Sequence, residues 1–255
     1  MSDRHGARRG GSRPHAWQGW RGLAALAVGL LAAAVVLGAC KPREIVPTRP
    51  SLLVQPEREL VQYRRLVLPN GLKAMLVSNP RTETSAAALA VGAGSLADPP
   101  ERPGLAHFLE HMLFLGTEKY PEPNAYTQFL SSHAGHSNAY TADDHTNYFF
   151  SVENAAFEGA LDRFAQFFIA PLFTQALTDR EMNAVDAEHG KNIENEYWRT
   201  RAVERGLYDR AHPISRFSTG NLATLSGVTR EELLRFYERH YSSNVMTLAV
   251  VGNRS

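Results

Sequence analysis

Apolar residues are arranged in three ways along this chain, and each arrangement predicts a different kind of segment. From Pro103 to about Leu115, Leu105, Phe108, Leu109, Met112 and Leu113 recur at helical spacing, which predicts a helix held by one apolar stripe. Pro103 suits its first turn, where an N–H would lack a partner anyway. Short strand-like apolar runs, and one pair of runs rich in β-branched and aromatic residues at 136–152, predict strands. They are Arg64 to Leu68 and Leu72 to Val77, joined by the turn signal Pro69-Asn70-Gly71; Thr84 to Val91; a pair at His136 to Thr141 and His145 to Val152; and a last strand within Ser243 to Gly252. Mixed stretches predict further helices at Asn124 to Ser132, at Glu153 to Ala170 with Pro171 as its stop, and from Thr178 to about Thr200. Thr229-Arg230-Glu231-Glu232 is a capping box that opens another, to about Tyr241. Strands and helices are interspersed without the regular alternation of a doubly wound fold, so the expected class is α+β, one sheet with helices packed on it.

The third arrangement is an unbroken run of apolar and small residues, Gly22 to Ala39, after an Arg-bearing segment and before Cys40. This has the form of a secretion signal. Leu37-Gly38-Ala39-Cys40 resembles a bacterial lipobox, in which the cysteine becomes the lipidated first residue. On this reading residues 1–39 are a lipoprotein signal peptide and residues 40–60 are a lipidated Cys40 and a Pro-rich tether. Residues 61–255 are then the domain proper. Lys41, where an Asp would stand in retained lipoproteins, resembles export to the outer membrane. The expected location is the bacterial cell envelope, lipid-anchored and facing the periplasm. The run is also near the length that spans a bilayer, so an uncleaved anchor is the competing reading.

The chain has 255 residues, 44% of them hydrophobic, enough for one sizeable core. Its formal charge is +1. Residues 1–39 hold five Arg and one Asp, a net +4 that leaves −3 for the rest. The basic excess therefore belongs to the N-terminus, and no basic face for nucleic acid is expected. Cys40 is the single cysteine, which excludes an intrachain disulfide. No internal repeat and no Gly-rich phosphate loop stand out. The chain stops directly after its last strand, so the domain is expected to be incomplete at its C-terminus.

The candidate chemistry lies in the first predicted helix. His107-Phe108-Leu109-Glu110-His111 is H-x-x-E-H, the inverted relative of H-E-x-x-H. His107 and His111 are one turn apart on one face, so two imidazoles can grip one metal ion. Glu110 lies on nearly the same face, where it can reach a water at the metal's open position without being a ligand. A catalytic zinc site needs a third protein ligand. The long predicted helix offers Glu181, Glu188, His189, Glu194 and Glu196. Glu181 and Glu188, seven apart, share a face, and Glu194 and Glu196 lie somewhat off it. Spacing alone does not choose among them.

The chain from about Arg64 to Arg254 resembles the N-terminal domain of the insulinase/pitrilysin family of zinc metallopeptidases. The resemblance rests on Gly104 to Thr117, on His133 to Thr141, on Glu153 to Phe173 with Gly159 to Phe168 within it, and on Glu181 to His189, in that order. It is nearest to the insulin-degrading-enzyme and pitrilysin branch. The resemblance implies a mainly antiparallel sheet forming one half of a clamshell, one Zn²⁺ ion held by His107, His111 and Glu188, and Glu110 as general base. It implies Glu181 as a supporting partner behind the ligands, and Asn138 and Ala139 as edge-strand residues that bind substrate backbone. The implied activity is endopeptidase cleavage of peptides by a Glu110-activated water at the zinc. The alternative is a truncated or non-catalytic half that binds zinc and peptide but needs a second homologous half or a partner subunit.

Overall fold

The computed structural model of this protein describes residues 60–254. The expected signal peptide, Cys40 and all of the tether except Leu60 lie outside the described residues. Six strands form one mixed sheet: β1 (Gln62–Val67), β2 (Lys73–Ser78), β3 (Thr84–Val91), β4 (His136–Thr141), β5 (Thr146–Glu153) and β6 (Met246–Gly252). Their order is β1-β2-β6-β3-β5-β4. Every pairing is antiparallel except β2 with β6, in keeping with a mainly antiparallel α+β sheet.

Seven α-helices accompany the sheet among the described residues: α1 (Leu105–Leu113), α2 (Ala125–Ser132), α3 (Phe157–Gln166), α4 (Gln175–Ile193), α5 (Glu196–Gly206), α6 (Leu222–Leu225) and α7 (Arg230–His240). The period-2 pattern of β3 and β5 gives the sheet a buried face. Ala87, Leu89 and Val91 lie beside their partners Phe150, Tyr148 and Thr146 on that face. It shares one core with α1, α3 and α7. In α1 Phe108, Leu109, Met112 and Leu113 are fully buried. Each such side chain stabilises by ~1.5–3 kcal/mol relative to exposure, so the core fixes the rotation of α1 and hence where its polar face points.

Three boundaries differ from expectation, each for a local reason. The helix expected from Pro103 begins at Leu105, with Gly104 as N-cap at φ +92°. The Asp98 carboxylate accepts from the N–H groups of Gly104 and Ala106, both at 2.7 Å, and so satisfies donors that a helix start leaves open. The helix expected over Glu153 to Ala170 starts as a 3-10 turn at Asn154–Ala156 and becomes α-helical only at Phe157. The helix expected from Thr178 to about Thr200 is two helices. Asn195 takes an extended backbone, and its side chain accepts from the N–H of Tyr197. Asn is a favoured N-cap, and here it starts α5 afresh. The capping box at Thr229 and Glu232 is present in both directions.

Gly104 also touches Gly220, itself at φ +82°. A Cβ at position 104 would collide with the Cα and N of Gly220. This close approach of two backbones brings the 218–220 segment against α1. Gly104→Ala combines a strained φ with that collision. We expect it to destabilise the fold by ~2 kcal/mol or more, read as a lowered urea midpoint at unchanged m-value. An unchanged midpoint would mean the contact is not needed.

Candidate metal centre

α1 presents His107, Glu110 and His111 opposite its buried stripe. α4 faces it with a stripe of its own, in which Thr178, Met182 and Val185 are buried. Glu181 and Glu188 flank Val185 on that side and are half-buried. Glu194, the C-cap of α4, and Glu196, in the first turn of α5, are exposed. His189 stacks edge-on against Phe217, with ring centroids 4.7 Å apart. Of the five third-ligand candidates, packing thus brings only Glu188 into a three-residue cluster with His107 and His111.

The tautomers of both histidines follow from what their Nδ1 atoms meet. His107 Nδ1 lies 2.7 Å from the Thr219 carbonyl, which can only accept. The His107 Nδ1–H therefore donates, leaving Nε2 with its lone pair. His111 Nδ1 lies 2.8 Å from the Glu181 carboxylate and donates in the same way. Both Nε2 atoms then turn to one oxygen, Glu188 Oε2, at 3.6 and 3.5 Å. Ligands ~2.0–2.1 Å from a tetrahedral ion would stand roughly 3.4 Å from one another. Two imidazoles and a carboxylate at these separations, each imidazole oriented from behind, fit a zinc ion with an open fourth position.

Electrostatics split the two rings. Burial holds the His107 imidazole below its ordinary range, and the nearby His111 adds to that. Burial also pulls His111 down, but hydrogen bonds to Glu181 and Glu188 outweigh it and raise it to about 9. The Glu188 carboxyl is lowered, chiefly by His111. Without an ion the His111 ring therefore takes a second proton at neutral pH, on the Nε2 that faces Glu188, and a bound ion would have to displace it.

Glu110 is 6% exposed. Burial pushes its carboxyl up to about 7, against the pull of the Thr141 hydroxyl. That hydroxyl donates to Glu110 Oε2 at 2.5 Å. A carboxyl tuned to near neutrality can both take and return a proton at physiological pH.

Thr141 ends β4, which among the described residues is an edge strand paired only with β5. Asn138 is exposed and Ala139 half-buried on it. The N–H of Ala139 donates to the Asn138 side chain at 2.9 Å, so this edge donor is capped by its own neighbour. The β4 edge, the three ligand candidates, Glu110, Glu181 and Trp198 line one cleft of about 710 Å³. Phe114 and Tyr140 line it too.

Three contributors carried no role in the sequence reading: Thr219 behind His107, Thr141 behind Glu110, and Asp98 at the head of α1. The signal for Thr219 is weak, a Thr-Gly pair far along the chain. Asp98 sits ahead of Pro99-Pro100 and a helix start, where a capping acid is common. Among the described residues no helix is long and apolar enough to cross a membrane.

Residues 73–211 match the family described as insulinase (peptidase family M16), and residues 227–255 match the peptidase M16 inactive domain. The first match spans His107, Glu110, His111, Thr141, Glu181 and Glu188, and Thr219 lies between the two matches. The chain is 52% identical over 210 residues to the insulin-degrading enzyme of Mus musculus, covering 80% of this chain and 21% of that protein. It is 54% identical over 201 residues to the insulin-degrading enzyme of Homo sapiens, covering 76% of this chain and 20% of that protein. The chain thus spans about a fifth of the length of the curated relatives it matches. Its fold superposes on the crystal structure of pitrilysin with a TM-score of 0.80 at 37% identity, covering 83% of this chain and 23% of that one. With the inverted motif, its downstream glutamate and this fold on one chain, the protein belongs to the insulinase family, peptidase family M16.

Proposed function

We propose that this chain is the zinc-bearing N-terminal domain of an endopeptidase that cleaves peptides. The observation that carries the reading is the convergence of three elements on one cleft. The His107–His111–Glu188 triangle, the buried Glu110 and a sheet edge unpaired among the described residues all face the same space.

His107, His111 and Glu188 would hold one zinc ion per chain, with Glu181 fixing the His111 ring. When bound, zinc would supply Lewis acidity that makes water a better nucleophile at neutral pH and polarises a carbonyl oxygen. Glu110 takes the proton from the attacking water and returns it to the leaving nitrogen. Thr141 holds one carboxylate oxygen of Glu110 so that the other is free to do this. An extended peptide pairs with β4 as an added strand. In doing so it displaces the Asn138 side chain from the Ala139 N–H, which frees both groups for substrate backbone.

Hydrolysis of a quenched fluorescent peptide by the purified chain, with zinc content measured on the same sample, tests the reading. Zinc bound at one equivalent together with cleavage is the expected result, and a chain that binds no zinc sinks it. The short span of this chain within its relatives favours one second reading. Zinc without cleavage would mean that a homologous second half or a partner subunit supplies further substrate contacts.

The envelope location belongs to the same proposal and rests on the sequence around Cys40. Metabolic labelling with a radioactive fatty acid in a bacterial host should mark the wild-type chain and leave Cys40→Ala unlabelled. Equal labelling of the two would discard the lipoprotein reading.

A further inference from the structure

Helix α5 buries none of its residues, and Tyr197 and Val203 on it are more than 60% exposed. Apolar packing therefore does little to hold it. Yet it carries Trp198, which lines the metal cleft. What holds it is polar. Arg201 and Arg205, one helical turn apart on one face, both reach Asp143 in the β4–β5 hairpin. Arg201 Nη2 lies 3.1 Å from one carboxylate oxygen and Arg205 Nη2 2.5 Å from the other. Arg205 is only 12% exposed, and its Nη1 also donates to the carbonyls of Ile214 and Arg216.

Asp143 in turn is braced from behind. Its carbonyl accepts from Leu96, the neighbouring Ala142 carbonyl accepts from Ser95, and the Ser95 hydroxyl donates to its carboxylate. The same loop ends at Asp98, which caps α1. One carboxylate thus joins the helix that carries Trp198 to the β4–β5 hairpin and to the segment that leads to Asp98 and the start of α1. A charged, two-armed link of this kind is stronger than a neutral hydrogen bond and directional.

We propose that Asp143 is a positioning residue: through Arg201 and Arg205 it fixes α5, and with it the Trp198 wall of the cleft, at the distance that a bound peptide requires. The inference rests on the peptidase reading only for what the cleft binds. The link itself is independent of it. Asp143 touches neither metal ligands nor Glu110, so its loss should alter the grip on substrate and leave the metal site intact.

The test uses the full chain with Trp17→Phe and Trp20→Phe, so that Trp198 is the only tryptophan, and with Glu110→Gln, so that peptide binds without turnover. Asp143→Asn should raise acrylamide quenching of Trp198 about twofold, as expected for a helix released toward solvent. It should weaken binding of a fluorescein-labelled, unstructured apolar peptide by about tenfold, with zinc content unchanged. Asp143→Glu, which keeps the charge, should recover most of both. Arg201→Gln, at a more exposed arm, should shift both readings in the same direction by less, and serves if Asp143→Asn fails to fold. Parent-like quenching and parent-like peptide affinity in Asp143→Asn or, should that not fold, in Arg201→Gln would overturn the proposal, as would failure of Asp143→Glu to recover either. A parent chain that binds zinc but no peptide would instead count against the peptidase reading, and the quenching comparison would still decide the link.

Discussion

Glu110→Gln is expected to keep zinc at the parent level while lowering peptide hydrolysis by ~10²–10⁴-fold, the usual range for removing a general acid–base. Gln has nearly the same shape and still accepts from the Thr141 hydroxyl, so the α1–β4 contact survives. What it lacks is a group that can take a proton. The metal triangle does not include Glu110, and His107 and His111 keep their own partners, Thr219 and Glu181. Zinc analysis and turnover on the same sample separate the two effects. A Gln variant with normal turnover would remove Glu110 from the chemistry. A variant that lost zinc would instead make it part of the ligand shell.

Zinc binding is where Glu188→Gln should show the second large effect. Two imidazoles alone leave the ion short of a ligand and of the one negative charge in the triangle. We expect affinity to fall by well over the ~10–100-fold associated with groups behind the ligands. Glu181→Gln should fall within that smaller range, because it disturbs only the orientation of the His111 ring. Glu194→Gln and Glu196→Gln should bind zinc as the parent does, since both side chains are exposed and outside the cluster. Competition against a chromogenic chelator would rank the four. If Glu194→Gln or Glu196→Gln lost zinc as fully as Glu188→Gln, the assignment of the third ligand would be wrong.

The relation of sequence to structure differs from element to element. α1 was legible because its signals are local. A five-residue spacing places His107, Glu110 and His111 on one face, and the apolar stripe places the opposite face in the core. The two hairpins were legible for the same reason, from Asn70-Gly71 at one turn and from runs rich in β-branched and aromatic residues on either side of the other. The long acidic helix was not. Its break depends on the backbone of Asn195, one residue in a stretch whose pattern otherwise reads straight through. That break is what carries Glu196 onto a different helix and lets α5 place Trp198 on the lining of the cleft.

What the sequence determined by itself is therefore the α+β class, the face of α1 that carries His107, Glu110 and His111, and the short set of acids from which a third ligand could come. Spacing within one helix is set by backbone geometry, so it needs no knowledge of the rest of the chain. The tertiary structure alone decided that Glu188 meets the two histidines and that Thr219, Thr141 and Asp98 stand behind the site. It alone decided that Asp143 answers two arginines from a helix more than fifty positions away. Those pairings depend on which faces of separate elements bury against each other, and burial is a property of the packed chain, not of any segment within it.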